Sequence, residues 1–214
     1  MIKYHYFQQG TEEWYQIRAG RFTASKARLL TSNLSNITPQ KYIAQVMQEQ
    51  ISGRPTRGRG NFWQMEHGTE NEPVAIKLYE KLTGNTVDKV GFISKGDDLG
   101  ASTDGLVSFD GIIEVKCPAT EFAYRCLQDP KKNKDHYLQM QFALWVSGRQ
   151  WCDYVVFDPD FPEGKNIVIH HVERDEEAIE VIEEGVNAAR ELLNEQKKRL
   201  EKYFEKTQNI KNDR

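Results

Sequence analysis

Residues 105–118 read GLVSFDGIIEVKCP, two short apolar runs separated by a turn. Such a stretch forms a β-hairpin, in which alternate residues fall on opposite faces and Ile113 and Val115 point into a core. A lone hairpin is marginal in water and needs more strands or a helix on its apolar face. The chain must therefore fold around a covered sheet. Yet Asp104, Glu114 and Lys116 fall within or beside this hairpin, and burying charge is unfavourable unless something compensates it.

The turn decides how the three charges meet. With Asp110-Gly111 as a two-residue loop, Asp104 pairs opposite Cys117 and faces away from Glu114. With Phe109-Asp110-Gly111 as a three-residue loop and Gly111 left-handed, Asp104 lies opposite Lys116. Glu114 is then its diagonal neighbour, about 7–8 Å away between α-carbons. The second register gathers two carboxylates and a lysine on one face, and it is the one expected here. A lone Glu-x-Lys in a strand is usually a surface salt-bridge ladder. Here the flanking Thr103 and Gly105 and the apolar Ile112, Ile113 and Val115 favour a site instead. Two carboxylates so spaced suit Mg²⁺, a hard cation that keeps waters for a phosphate to displace. A neighbouring lysine can position the attacking water and stabilise charge on the phosphate. The set fits metal-assisted phosphodiester hydrolysis.

The rest of the chain supplies the cover. Thr11 caps a helix carrying Trp14 and Ile17, and Thr23-Ala24-Ser25 opens a second. After Pro39, Tyr42, Ile43, Val46, Met47 and Ile51 form one stripe that stops at Gly53. Residues 63–82 predict a helix with Ala75, Leu78, Tyr79 and Leu82 inward, Pro73 in its first turn or at a kink, and Gly84 after its end. Strands are expected over 86–94, 101–108, 112–117, 153–157 and 166–172. A helix bearing Tyr137, Met140, Leu144 and Trp145 crosses back between them. A long charged helix over 175–204 has Ile179, Ile182, Val186, Ala189, Leu193, Leu200 and Tyr203 as its seam. This order predicts a mixed α/β domain with a central sheet flanked by helices, over residues 1–206, with 207–214 as a flexible tail.

No apolar run approaches the roughly 20 residues that span a bilayer, and MIKYHYFQQG lacks the apolar segment of a signal peptide. Cys117, Cys126 and Cys152 show no Cys-x-x-Cys spacing and read as reduced, packed thiols of a cytoplasmic protein. The net charge of −3 hides basic stretches around Arg18 to Arg28, at Arg54, Arg57 and Arg59, and at Lys131 to Lys134. Local positive charge is all that a DNA-binding face requires.

The ordered motifs carry a resemblance. STDG followed by EVK resembles the D…(D/E)xK core of the PD-(D/E)xK nuclease superfamily. EEWYQIRAGRFTAS resembles the W-x-x-x-R-x-G-x-x-TAS motif of the lambda exonuclease-like, YqaJ-type viral recombinase family. HGTENEPVA, YLQMQFALWV and VERDEE resemble its glutamate helix, glutamine helix and last strand-to-helix junction. The resemblance spans most of residues 12–175. It implies a restriction-endonuclease-like core in which Asp104, Glu114 and the Val115 carbonyl hold metal and Lys116 positions water. Glu72, ahead of Glu70, stands near the metal, and Gln139, ahead of Gln141, near the nucleophilic water. Arg18, Ser25 and Ser102 match a pocket for a 5′-terminal phosphate, and Met65 an apolar wedge. Arg54, Arg57 and Arg59 stand in a loop read as DNA-holding or merely solvated. Asp97 or Asp98 stands near a further family acid at altered spacing. By the same resemblance the activity is Mg²⁺-dependent 5′-to-3′ digestion of double-stranded DNA ends by a homotrimeric ring working with a single-strand annealing protein. Mn²⁺ is expected to substitute, and Ca²⁺ to bind without cleavage. A structure-specific or restriction-type endonuclease, and an inactive DNA-binding module, are the alternatives.

Overall fold

The computed structural model describes the backbone of residues 1–56, 62–118 and 129–212, and their side chains except at 62–69 and 206–212. In chain order the elements are β1 (Ile2–His5), α1 (Glu12–Arg18), β2 (Phe22–Thr23), a 3₁₀ turn (Ala24–Lys26) leading into α2 (Ala27–Leu30), α3 (Ile37–Ser52) and α4 (Phe62–Thr83). Then come β3 (Val87–Asp88), β4 (Phe92–Lys95), β5 (Leu99–Ala101), β6 (Gly105–Val107), β7 (Gly111–Lys116) and a 3₁₀ turn (Pro130–Lys132). The chain closes with α5 (Lys134–Ser147), β8 (Trp151–Phe157), β9 (Ile167–Glu173) and α6 (Glu176–Asn212).

Two sheets form, one in the order β1-β4-β5-β2 and one in the order β3-β6-β7-β8-β9. β7 and β8 are parallel neighbours, a pairing that needs a crossover, and α5 lies in that connection. β7 is covered on both sides. Ile112 belongs to the main core, whereas Ile113 and Val115 pack with Ala75, Ile76 and Tyr79 of α4. Coverage on two faces explains why the adjacent Ile112 and Ile113 are both apolar and buried. α5 is apolar almost all round, with Met140, Phe142, Leu144 and Val146 fully buried, because sheet strands and α6 both pack on it. The α6 seam of Ile179, Ile182, Val186, Ala189 and Leu193 is buried as periodicity predicts.

The hairpin turn differs from expectation. Its register pairs Gly105 with Ile113, Leu106 with Ile112 and Val107 with Gly111. The loop is therefore Ser108-Phe109-Asp110, with Ser108 left-handed at φ 51°, and extending the register sets Asp104 across from Glu114 rather than Lys116. The cause lies in β8. Asp110 accepts hydrogen bonds from the Gln150 N–H at 2.7 Å and, through Oδ1, from the Trp151 indole at 2.9 Å. Gly111 lies where a Cβ would stand 2.2 Å from the Trp151 ring, so close packing rather than turn conformation demands the glycine. A shift of two residues preserves the faces, so the charges still converge.

Other expectations shift at the edges. Leu82 and Ile51 are exposed, as is Tyr203, while Ile76 takes a core place instead. α3 starts at Ile37 and holds Pro39 in its first turn, and α6 runs to Asn212 rather than ending near Phe204. The runs 86–94 and 101–108 each split between the two sheets. The chain thus crosses from one sheet to the other between Ala101 and Gly105. Among the described residues no helix is long and apolar enough to cross a membrane.

Gly111→Ala should lower the urea-unfolding free energy by about 1–3 kcal/mol through overpacking against Trp151. An unchanged midpoint would show that the Trp151 contact does not constrain this turn.

Candidate active site

The crossing from Ala101 to Gly105 carries Ser102 and Asp104, and two side-chain groups assemble on either side of it. On the sheet side, strand alternation puts Glu114 and Lys116 on the face of β7 toward α5. Glu114 is 4% exposed. Its Oε1 accepts from Lys116 Nζ at 2.5 Å and from Gln139 Nε2 at 2.5 Å. Asp104 Oδ2 accepts the Val115 N–H at 2.6 Å, tying the crossing to the strand that carries the other acid. Burial, then the nearby Glu114 and Glu72 charges, raise the Asp104 carboxyl well above its ordinary range, against the opposing pull of Lys116 and the Val115 N–H. Glu72 of α4 pairs with Lys89 at 2.6 Å. Among the described residues, no group of three histidine, cysteine or acidic side chains is drawn together tightly enough to make a complete metal shell. The acids stand near one another with Lys116, Gln139 and Lys89 as their partners.

On the other side, α1 presents Arg18. Its Nη1 donates to Ser102 Oγ at 2.9 Å, and Trp14 Nε1 donates to the same oxygen at 2.9 Å. The guanidinium lies over the Trp14 ring, 4.2 Å from its centroid. Burial lowers the Arg18 pKa from its usual value, but an arginine stays charged at neutral pH. With both lone pairs of Ser102 occupied, its O–H remains as a donor. An arginine fork and a hydroxyl donor suit a phosphate monoester.

The remaining expected residues sort plainly. The parallel ladder pairs Thr23 with Gly100, so Ser25 and Ser102 both leave it two residues later; Ser25 is exposed in its 3₁₀ turn. Gln141 is fully buried and braces the β9–α6 junction, donating to the Glu173 carbonyl and accepting the Asp175 N–H, each at 2.9 Å. Gln139 is thus the glutamine that meets Glu114. Glu70 is exposed. Asp98 binds Arg190 of α6 at 2.6 and 3.0 Å, a structural tie. Arg54 is exposed beyond α3, while Arg57, Arg59 and the Met65 side chain lie outside the described residues, as does Cys126. Cys117 and Cys152 are unbridged; burial, then the Glu72 and Asp104 charges, push the Cys117 thiol up to about 12.

Two partners escaped the sequence reading. Lys89 holds Glu72, and nothing in its local sequence marks it. His136, one turn before Gln139, accepts at Nδ1 from the Tyr154 hydroxyl at 2.7 Å, with the Asn133 amide at 3.1 Å. Burial, reinforced by the Lys116 charge, pushes this imidazole down to about 4, so it is neutral beside the site at physiological pH. Its spacing from Gln139 was the available signal.

The family model for the YqaJ-like viral recombinase domain matches residues 13–150. The chain belongs to the YqaJ-like viral recombinase family. Among solved structures it is similar to LHK-Exo, an alkaline exonuclease from Laribacter hongkongensis, at 33% identity and a TM-score of 0.81, covering 92% of this chain and 99% of that one. LHK-Exo in complex with dAMP gives a TM-score of 0.82 at the same identity and coverage. A phage-related exonuclease from Haemophilus somnus 129PT, 17% identical, shares the fold at a TM-score of 0.66 over 84% of this chain and 96% of that one. No curated protein matches. The mixed α/β core is of the PD-(D/E)xK type.

A carboxyl with a raised pKa costs folding stability as it ionises with rising pH. Asp104→Asn should therefore raise the metal-free melting temperature at neutral pH, by about 2–4 °C per kcal/mol relieved. It should also weaken the stabilisation that added divalent cation gives the wild type. A lowered melting temperature, with the cation effect intact, would show that Asp104 is not a strained acid of this cluster.

Proposed function

We propose that this chain is a divalent-metal-dependent exonuclease of double-stranded DNA ends that digests the 5′-ended strand and leaves a 3′ single strand. The observation that carries this reading is the pairing of an acid–lysine–glutamine cluster with an arginine–serine pocket across a two-residue stretch of chain. Family membership supports it, as does the likeness to an alkaline exonuclease.

Asp104 and Glu114, with Glu72 and the Val115 carbonyl, would hold Mg²⁺; Glu114 and Glu72 beside a raised Asp104 are oxygen donors of the kind that a hard cation suits. When bound, the ion would supply Lewis acidity toward the phosphate and lower the pKa of water so that hydroxide is available. Lys116 Nζ and Gln139 Nε2, both on Glu114 Oε1, orient the attacking water, and the lysine charge stabilises the phosphate as charge builds on it. Arg18 and the Ser102 hydroxyl grip the 5′-terminal phosphate, with Ser25 at the pocket's rim. His136 and Tyr154 steady α5 without adding charge. Mn²⁺ substitutes for Mg²⁺ in this reading, and Ca²⁺ binds without supporting cleavage.

The wider setting rests on the family. We read the working form as a homotrimeric ring that DNA threads. Its partner is a single-strand annealing protein, and its role phage-type recombination in the cytoplasm of a bacterial host. Met65 serves as a wedge at the terminal base pair, and Arg54, Arg57 and Arg59 hold the duplex.

A linear duplex labelled on either strand tests the reading. The 5′-ended strand should shorten in Mg²⁺ while a covalently closed circle survives; cutting of the circle would make the protein an endonuclease. Arg18→Ala should slow digestion of 5′-phosphorylated ends by about 10–100-fold, and of 5′-hydroxyl ends much less. Equal losses on both would remove Arg18 from phosphate recognition.

A further inference from the structure

The turn from β8 to β9 reads DPDFPEGKN, residues 158–166, and holds a small polar site that the acid cluster does not use. Phe157 pairs with Ile167 at the end of the ladder. The Asp158 N–H then donates to the Asn166 carbonyl at 3.0 Å, so the pairing runs one step further. Residues facing each other in such a pair share a side of the sheet, with Cβ atoms about 4.5–5.5 Å apart. Two short polar side chains, Asp158 and Asn166, therefore meet.

Asp158 is 5% exposed. Its Oδ1 accepts the Asp160 N–H at 3.0 Å, which leaves Oδ2 for another partner. Among the described residues neither Asp158 Oδ2 nor Asn166 Oδ1 has one, and both atoms are buried. Both residues line a cavity of about 20 Å³, together with Val156, Phe161, Lys165 and Val168. That is room for one particle the size of a water, which needs roughly 10–15 Å³. The backbone is fixed around it, because Phe161 N–H donates to the Asp158 carbonyl at 3.3 Å and Lys165 N–H to the Pro162 carbonyl at 2.9 Å.

Two oxygen acceptors set face to face need something positive between them. A water donates a hydrogen to each, but it leaves the buried carboxylate without a counter-charge, which is unfavourable. Lys165 lines the cavity, yet its ammonium does not bond Oδ2. A cation answers both the lone pairs and the charge. One carboxylate and one neutral amide oxygen match a single positive charge, and the volume excludes an ion that keeps its own waters, as Mg²⁺ does.

We propose that Asp158 and Asn166 bind one desolvated monovalent cation, sodium or potassium, that braces the β8–β9 turn. The site shares no residue with the acid cluster, and the inference goes beyond the exonuclease reading without resting on it.

Thermal unfolding in sodium, potassium and choline chloride, with divalent ions chelated, tests the site. An equal ionic strength of about 0.1 M holds general screening constant. The wild type should melt on the order of 3 °C higher in sodium or potassium than in choline, and the larger gain names the ion. Asp158→Asn, whose amide can donate to Asn166 Oδ1, should show no gain. Asn166→Asp, which sets two carboxylates opposite each other, should enlarge it. Asp104→Asn should keep the wild-type gain. A wild type that melts alike in all three salts would mean that a water, or an Asn166 amide turned to donate, satisfies Asp158, and would overturn the site. So would a gain retained in Asp158→Asn, not enlarged in Asn166→Asp, or lost in Asp104→Asn.

Discussion

Carboxylates brought near one another repel unless positive charge or hydrogen-bond donors lie among them. Asp104, Glu114 and Glu72 come near one another from three different elements, a sheet-to-sheet crossing, a core strand and a helix. Lys116 and Gln139 donate to Glu114, and Lys89 to Glu72, at 2.5–2.6 Å. Those contacts hold the carboxylates in position but leave Asp104 reluctant to ionise. Stability given up at such a point is a common mark of a functional site.

The fold earns its usefulness through one covalent fact. The chain leaves one sheet at Ala101 and joins the other at Gly105, so Ser102 and Asp104 are held by rigid strands on both sides. The first sheet, with α1, delivers Arg18 and Trp14; the second, with α5, delivers Glu114, Lys116 and Gln139. Neither sheet alone carries both halves. Asp98 and Arg190 lock α6 onto the approach to this crossing, and the Phe22 N–H donates to the Asp98 carbonyl at 2.7 Å.

Much of this was legible in the sequence, for reasons that can be named. Ile112, Ile113 and Val115 announced a core strand, though not its coverage on two faces, and the α6 periodicity announced its seam. The convergence of Asp104 and Glu114 followed from the period of two in a strand, which survived an error of register because the slip was also two residues. The turn itself was misread because Asp110 and Gly111 answer to Trp151, forty residues on, and local turn chemistry cannot show that. Gln139 and Gln141 differ only in which neighbour each meets, Glu114 or the β9–α6 junction, and that is a tertiary fact. Leu82, Ile51 and Tyr203 continue an apolar stripe past the point where another element covers it. Lys89 carries no local signature, and His136 only its one-turn spacing from Gln139; packing brings them to Glu72 and Tyr154.

The central claim is that Lys116, poised on Glu114, serves hydrolysis rather than DNA binding. Its most direct test is to measure end binding in Ca²⁺ and digestion in Mg²⁺ side by side for the wild type and Lys116→Ala. Binding should hold within a few-fold while digestion falls by about 10²–10³. Digestion at the wild-type rate, or a loss of binding that alone accounts for the fall, would contradict the account.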